Sequence, residues 1–232
     1  MSNLTHRTLR QLGLDHNPLL LVSQNLTRAG MTAFLRGWCG MQIEGTEVFH
    51  QVPQFILAPT HASHLDFWAV LEGLPAPLRR RTYIAAAQDY FYANPWRRWA
   101  THLFSYHNFA FNRRTRSPQE YRHLGAMLAQ GLSLLIFPEG SRTSDGRLQA
   151  IKPMVSMLAV DRSVPLIPVV VRGTHAVLPR GRFFPLPHPI RVTFGRPIQN
   201  VFIRPGESFH QSLHRVHAEL VSRINEMWNS PA

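Results

Sequence analysis

Short apolar runs alternate with segments of helical periodicity through most of the chain, from about residue 42 to about residue 194. The runs have the length and the β-branched content of buried strands, whereas the segments between them repeat their apolar residues at helical spacing. Strands are predicted near 42–50, 54–59, 82–86, 107–112, 133–137, 165–171 and 190–194, and helices near 64–74, 95–104, 117–130 and 150–160. This alternation predicts an α/β protein whose central mixed sheet is flanked by helices.

Two further helical patterns lie at either side of this region. Residues 17–40 place apolar side chains among Arg28 and Arg36, which predicts an amphipathic helical segment. Such a segment can rest on a membrane surface or pack on the protein, and the pattern alone fits both. Residues 205–228 are predicted to form a C-terminal helix. We therefore expect a helical segment over 1–41 and one globular domain over 42–232, a size that can bury a substantial core.

The first polar segment with a chemical signature follows the predicted strand at 54–59. Pro59 ends the strand, His61 lies in the turn, and Asp66 lies near the start of the next helix. A carboxylate five positions after a histidine, at the start of a helix, can accept one ring N–H of the histidine and stabilise the imidazolium. This arrangement suits deprotonation of a hydroxyl. The alternative is an ordinary helix N-cap with a histidine that is satisfied by backbone.

The second such segment follows the predicted strand at 133–137 and begins at Pro138. Its glycine permits a tight turn or a close approach of the backbone to a ligand. Its arginine and two hydroxyls suit a phosphate or a carboxylate. A plain strand–turn sequence with a surface arginine is the other interpretation. The residues in question are Glu139, Gly140, Ser141, Arg142 and Thr143.

Two more segments complete the set. Residues 108–114 alternate aromatic and small residues before a basic pair, so a strand is predicted to deliver Arg113 to the same rim of the sheet. Residues 164–173 are predicted to form a buried strand that is interrupted by prolines. The residues after it, from Thr174 to Pro189, are predicted to form a proline-rich loop near the site.

These four segments, in this order, resemble the PlsC-like glycerophospholipid acyltransferases, the lysophosphatidic-acid acyltransferase family. His61 to Asp66 matches the H-x4-D motif of that family, and Arg113 stands where its second motif ends in arginine. Residues 137–143 match F-P-E-G-[ST]-R-[ST], and residues 164–168 match V-P-[IV]-[IV]-P. The resemblance covers roughly residues 40–200, which is most of the chain.

The chain departs from the family pattern at three places. Asn112 replaces the more usual aspartate before Arg113, and His64 is an additional histidine inside the first motif. The basic stretch that often follows the third motif is reduced to Lys152, the only lysine of the chain. Asn112 and the reduced basic stretch at Lys152 leave the identity of the acceptor headgroup open, and they affect the predicted reaction type less.

The resemblance implies an O-acyltransferase that moves a fatty acyl group from acyl-CoA or acyl carrier protein to a lysophospholipid, most simply 1-acylglycerol-3-phosphate. His61 would act as general base with Asp66 as its partner. The acyl thioester is a co-substrate, and no metal or other cofactor is implied. The acceptor phosphate would lie on Arg113, Glu139, Gly140, Ser141, Arg142 and Thr143.

Two rival functions remain open on the sequence. One is the same chemistry on another acceptor, such as a lyso-ornithine lipid or a glycolipid. The other is a basic lipid- or nucleic-acid-binding protein that keeps the fold without catalysis. The intact pair of His61 and Asp66, together with Glu139 and Arg142, favours an enzyme over a binding protein.

The charge of the chain points to a polyanionic partner. The formal net charge is +12, and nearly all of the basic residues are arginine. Arginines cluster at 79–81, 97–98 and 113–116 among several tyrosines and tryptophans, a mixture that suits an anionic membrane surface. Nucleic acid is not expected, because the sequence has no zinc-finger spacing or RNA-recognition pattern.

Compartment and metal content can be predicted from a few further positions. No apolar stretch approaches the roughly 20 residues that a transmembrane helix needs, and the first residues do not resemble a secretory signal. A single cysteine, Cys39, fits a reducing compartment. We therefore expect a cytoplasmic protein, peripheral on the cytoplasmic face of the membrane. His210, His214 and His217 share one helix face and are predicted to face solvent rather than a metal.

Overall fold

A mixed sheet forms the centre of the molecule. The structure is a computed structural model and describes residues 18–87, 108–111, 118–179, 181–182 and 184–230. In these residues the sheet has seven strands: β1 (Gln42–Glu44), β2 (Ile56–Pro59), β3 (Thr82–Ala87), β4 (Asn108–Phe111), β5 (Ser133–Leu135), β6 (Leu166–Arg172) and β7 (Arg191–Phe194). They lie side by side in the order β1-β7-β6-β2-β5-β3-β4. The prediction of an α/β fold with a mixed sheet is confirmed.

Strand direction brings three strand ends to one edge of the sheet. β2 pairs in parallel with β5 on one side and with β6 on the other, so that Leu57 lies between Leu135 and Ile167. Among the strands that the structure describes, only β6 and β7 pair antiparallel. The carboxyl ends of β2, β5 and β6 therefore meet at the same edge, which is where open α/β sheets commonly bind their ligands.

Helices cover both faces of the sheet. In the described residues the helices are α1 (Pro18–Ala33), α2 (Asp66–Glu72), α3 (Ala76–Arg79), α4 (Pro118–Ala129), α5 (Met154–Arg162), α6 (Thr174–Val177) and α7 (Phe209–Asn229), with a π-helical turn at Phe34–Trp38 and a 3-10 turn at Thr46–His50. β2 and the residue before it show the alternation: Phe55 and Leu57 enter the core on one face, and Ile56 and Ala58 enter it on the other. The first face packs mainly on α2, and the second on α4, α5 and α7.

The C-terminal helix, α7, is fixed at both ends. Ser208 and Gln211 form a reciprocal capping box, which explains why the helix begins at Phe209 rather than at the predicted residue 205. At the other end Arg172 of β6 donates to the carbonyls of Met227, Trp228 and Ser230. The inward face carries Ser212, Val216, Leu220 and Ile224, one helical turn apart.

The predicted strand at 42–50 is wrong in its second half. β1 ends at Glu44, and residues 46–50 form the 3-10 turn. Gly45 separates the two with a φ of 77°, a left-handed conformation that glycine adopts readily. A Cβ at this position would stand 2.0 Å from the backbone oxygen of Phe194, so only glycine fits beside β7.

Other boundaries also differ from the prediction. The expected loop from Thr174 to Pro189 begins with the short helix α6, and α5 begins at Met154 instead of residue 150. His210 and His214 are exposed, as predicted, but His217 is half-buried, with its Nδ1 3.3 Å from the Ser156 hydroxyl of α5. The predicted helix at 95–104 lies outside the described residues.

The N-terminal helix α1 packs against α2. Thr32 donates to Glu72 at 3.0 Å, and Arg36 forms an ion pair with the same carboxylate at 3.1 Å. Val22 and Leu26 are exposed, as is Trp38 after the π-helical turn. Among the residues that the structure describes, no helix combines the length and the apolar character that crossing a membrane requires.

Candidate active site

The end of β2 places His61 at the carboxyl edge of the sheet. Pro59 is the last residue paired with β6, and the backbone N–H of Thr60 still donates to the Val169 carbonyl at 3.0 Å. The Thr60 hydroxyl then accepts the N–H of Val171, also at 3.0 Å, where the next backbone pair would have been. The chain leaves the sheet at this point, and His61 is the first residue beyond it.

His61 and Asp66 form the expected pair. The Nδ1 atom of His61 lies 2.9 Å from Oδ2 of Asp66. The Asp66 side chain is fully buried, and the His61 side chain is 14% exposed. With Asp66 ionised, Nδ1 carries the ring proton of neutral His61, so that Nε2 has the lone pair needed to accept a proton.

Asp66 is held in place by three further donors. Its Oδ2 atom accepts the backbone N–H groups of Ala62 at 2.7 Å and of Ser63 at 2.8 Å. Its Oδ1 atom accepts the hydroxyl of Thr174 at 2.5 Å. The carboxylate therefore turns back onto the loop before α2 and caps no N–H group within the helix. The alternative interpretation of Asp66 as a plain N-cap is wrong for this reason, and the His61 ring contacts the carboxylate rather than backbone.

The two motif segments contact each other directly at His61. The ring of His61 stacks on the ring of Phe137, with centroids 3.7 Å apart and an interplanar angle of 17°. The N–H of Thr143 donates to the His61 carbonyl at 3.0 Å. His61 is thus held at three places. Phe137 packs on the face of its ring, and Asp66 contacts Nδ1 at the ring edge. The N–H of Thr143 binds its backbone carbonyl.

Glu139 is buried beneath the site. Its Oε1 atom accepts the backbone N–H of His61 at 2.6 Å, and its Oε2 atom accepts the N–H of Gln149 at 3.0 Å. The residue is only 2% exposed. Burial raises the pKa of Glu139 to about 7, although the two backbone N–H groups favour the ionised form; the nearby charge of Asp66 raises it further.

The turn after Glu139 is shaped by Gly140, whose φ is +75°. A Cβ here would stand 2.6 Å from Nζ of Lys152, so the lysine side chain lies directly against the turn. The backbone N–H of Lys152 donates to the Pro138 carbonyl at 2.9 Å, which fixes the origin of that side chain. A cation beside the turn suits an anionic ligand.

The remaining predicted residues of the turn differ in their surroundings. Ser141 is exposed, and its carbonyl accepts from the Gln149 side chain at 3.0 Å. Arg142 is half-buried. Thr143 is buried, and its hydroxyl donates to Asp145 at 2.6 Å, a contact within the protein. Arg113 lies outside the described residues, so its predicted place at the rim stays a prediction.

Sequence reasoning missed three residues of the site: Thr174, Phe137 as a ring partner of His61, and Gln149. Thr174 had a usable signal, because it follows Gly173 at the carboxyl end of a buried strand, where side chains from neighbouring parallel strands converge. Gln149 lies in a segment without regular structure and had no such signal. Across the described residues, no group of three or more potential metal ligands occurs.

The fold and site define an α/β protein that holds a histidine against a buried carboxylate at the carboxyl edge of its sheet. Residues 40–172, more than half of the chain, match the family model described as Acyltransferase. The chain therefore belongs to the acyltransferase family, as its four motif segments indicate.

Individual relatives carry a more specific name. The chain is 41% identical over 69 residues to a 1-acyl-sn-glycerol-3-phosphate acyltransferase from Limnanthes alba, covering 30% of this chain and 25% of that protein. A protein of the same name from Cocos nucifera is 32% identical over 101 residues, covering 44% and 32% of the two chains. The alignments thus span only about a quarter to a third of the length of these relatives.

A solved structure shows the same fold over nearly the whole chain. The crystal structure of the 1-acyl-sn-glycerophosphate acyltransferase PlsC from Thermotoga maritima superposes with a TM-score of 0.64, over 98% of this chain and 90% of that one. Sequence identity is 21%, so this similarity establishes the shared architecture.

Proposed function

We propose that this chain transfers a fatty acyl group from an acyl thioester to the free hydroxyl of 1-acylglycerol-3-phosphate, giving phosphatidic acid. The main observation in support is the contact between His61 and Asp66. The Asp66 carboxylate is fully buried and accepts three hydrogen bonds besides its contact with His61. Membership of the acyltransferase family supports the reaction, and the names of the relatives support the acceptor.

In the proposed reaction, Nε2 of His61 takes the proton of the acceptor hydroxyl while its oxygen attacks the thioester carbonyl carbon. A C–O bond forms, and the carbonyl becomes a tetrahedral oxyanion. The oxyanion collapses, the C–S bond breaks, and the leaving thiolate takes the proton back from His61. Asp66 stabilises the intervening imidazolium by accepting its Nδ1–H. The hydroxyl is itself the nucleophile, so no acyl-enzyme forms.

The acceptor phosphate would bind beside the turn at Gly140. Arg142 provides a planar donor set that matches a phosphate, and Lys152 provides a compact positive charge against the same turn. Arg113, two positions after the end of β4 in the sequence, would complete the site. The acyl donor is acyl-CoA or acyl carrier protein, either of which brings an acidic carrier to a chain of net charge +12.

The experiment that tests this function is thiol release from acyl-CoA and acyl-carrier-protein donors, with and without 1-acylglycerol-3-phosphate. We expect release that requires the acceptor, and a fall of roughly 10²–10⁴-fold in His61→Ala. His210→Ala is the matched control, because this histidine is exposed on α7 and takes no part in the site. Release at the wild-type rate in His61→Ala would refute the proposed base.

The acceptor is tested separately in the same assay. Release that requires His61 but does not respond to 1-acylglycerol-3-phosphate would retain the chemistry and reject this acceptor, in favour of another lysolipid or a glycolipid. Absence of any release, together with salt-dependent binding of lipid or nucleic acid, would reject the enzyme in favour of a binding protein.

A further inference from the structure

The carboxylate of Glu139 connects the two loops of the site. One oxygen accepts the N–H of His61, which lies 78 positions earlier in the chain, and the other accepts the N–H of Gln149. Both oxygens are thus directed at backbone, and the residue is 2% exposed. Its geometry is that of a fixed support beneath the histidine rather than of a group that meets a substrate.

Charge gives an independent argument. An acceptor phosphate is an anion, and an ionised carboxylate in contact with it would repel it unless a cation lay between them. Arg142 and Lys152 place positive charge at the turn and can bind the phosphate, whereas the carboxylate of Glu139 cannot attract it. The contacts of the buried acid with the protein therefore indicate its role.

We propose that Glu139 is a positioning residue, which aims the His61 ring by holding the His61 backbone N–H and does not contact the acceptor. This inference rests on the proposed function, since it assigns His61 the proton transfer. Phe137, on the same strand end, holds the ring face, and Asp66 holds Nδ1. Glu139 adds the backbone as the third fixed point.

The support requires a carboxylate in particular. Each of the two carboxylate oxygens accepts one backbone N–H group. A glutamine has only one side-chain oxygen, so its NH₂ group would face one of the two N–H groups and could not accept it. The loop that carries His61 would then shift, and the position of Nε2 would shift with it. A misplacement of about 1 Å at a reacting group can cost on the order of 10²-fold in rate.

Kinetics of Glu139→Gln and Glu139→Asp test the proposal. We expect kcat to fall roughly 10- to 100-fold while KM for 1-acylglycerol-3-phosphate changes by less than about threefold. Arg142→Ala is the contrast variant and should raise KM for the acceptor. Glu47→Gln, which removes an exposed carboxylate from the 3-10 turn after β1, is the matched control. An increase in acceptor KM with kcat retained in Glu139→Gln would overturn the proposal.

A second measurement does not depend on activity or on whether the variants fold. In wild-type protein labelled with ¹³C and ¹⁵N, scalar couplings across the hydrogen bonds should connect the Glu139 carboxyl carbon with the amide nitrogens of His61 and Gln149. Couplings that are lacking at both amides would overturn the proposal. If the couplings are present but the wild type consumes no thioester with this acceptor, the proposed function fails while the support under His61 stands.

Discussion

At the scale of single residues, the site depends on side chains that fix other side chains. The His61 ring is oriented by Asp66, but Asp66 has rotational freedom of its own unless both of its oxygens are engaged. Thr174 supplies the contact to Oδ1 from 108 positions away in the chain. Hydrogen bonds to charged groups contribute about 1.5–3 kcal/mol each, so this hydroxyl should matter as much as a direct substrate contact.

Thr174→Val should lower kcat by about 10- to 100-fold while the acceptor KM stays nearly constant. Valine has the shape of threonine but lacks the hydroxyl, so the buried carboxylate loses one donor without a change in volume. Steady-state thiol release measures the effect. Thr193→Val is the control, because the Thr193 hydroxyl contacts Glu44 at the exposed edge of the sheet. Equal losses in both variants would contradict a specific role for Thr174.

The buried acid Glu139 should leave a signature in the pH dependence of stability. Its pKa rises from an ordinary value of 4.5 to about 7 in the folded protein, so the folded state binds the proton more tightly than the unfolded state. The stabilisation from this proton is full below pH 4.5 and is lost as the pH rises through about 7. The shift corresponds to about 3 kcal/mol.

Denaturant unfolding of wild type and Glu139→Gln between pH 4.5 and 8 measures this difference. The free energy of unfolding of the wild type should fall relative to the variant as the pH rises to 7, and the difference should be constant above that. A difference that does not change with pH would contradict the raised pKa. The folded protein is thus less stable when Glu139 is ionised than when it is protonated, and the ionised form is the one that we propose supports His61.

At the scale of elements, α1 presents apolar residues to solvent while it remains attached to the domain. Val22 and Leu26 lie one helical turn apart and are 55% and 68% exposed, and Trp38 is 61% exposed. Arg28 is exposed on the same helix. Met31 and Phe34 pack on the core, so this segment packs on the protein and still exposes an apolar surface. That it rests on a membrane stays a prediction.

Replacing this surface should weaken binding to anionic vesicles. We expect Leu26→Glu combined with Trp38→Glu to reduce sedimentation with phosphatidylglycerol-containing vesicles by roughly 10-fold or more, because two large apolar side chains become charged. Phe202→Glu is the control, since Phe202 is also exposed but lies in the segment before α7. Unchanged sedimentation of the double variant would contradict a membrane role for α1.

At the scale of the whole molecule, most of the architecture could be predicted, because buried strands and amphipathic helices differ in period. The hydrophobic pattern predicted the wrong end for β1. The strand ends early because Gly45 adopts a left-handed backbone conformation, which periodicity does not report. His61 and Asp66 could be paired because both lie on one short segment. Thr174 could have been assigned to them from its position at the carboxyl end of a buried strand. Gln149 could not, since hydrophobic patterning reports burial and not which loops become neighbours.

The separation of Thr174 and Glu139 from the histidine loop has a consequence for the order of folding. His61 and Asp66 can meet as soon as β2 and α2 form, but their supports arrive only when β5 and β6 have docked on either side of β2. Closing these long loops is slow compared with forming local structure. We therefore expect a partly folded chain without docked β5 and β6 to contain the reactive pair without its alignment, so that catalytic competence requires the middle of the sheet to be complete.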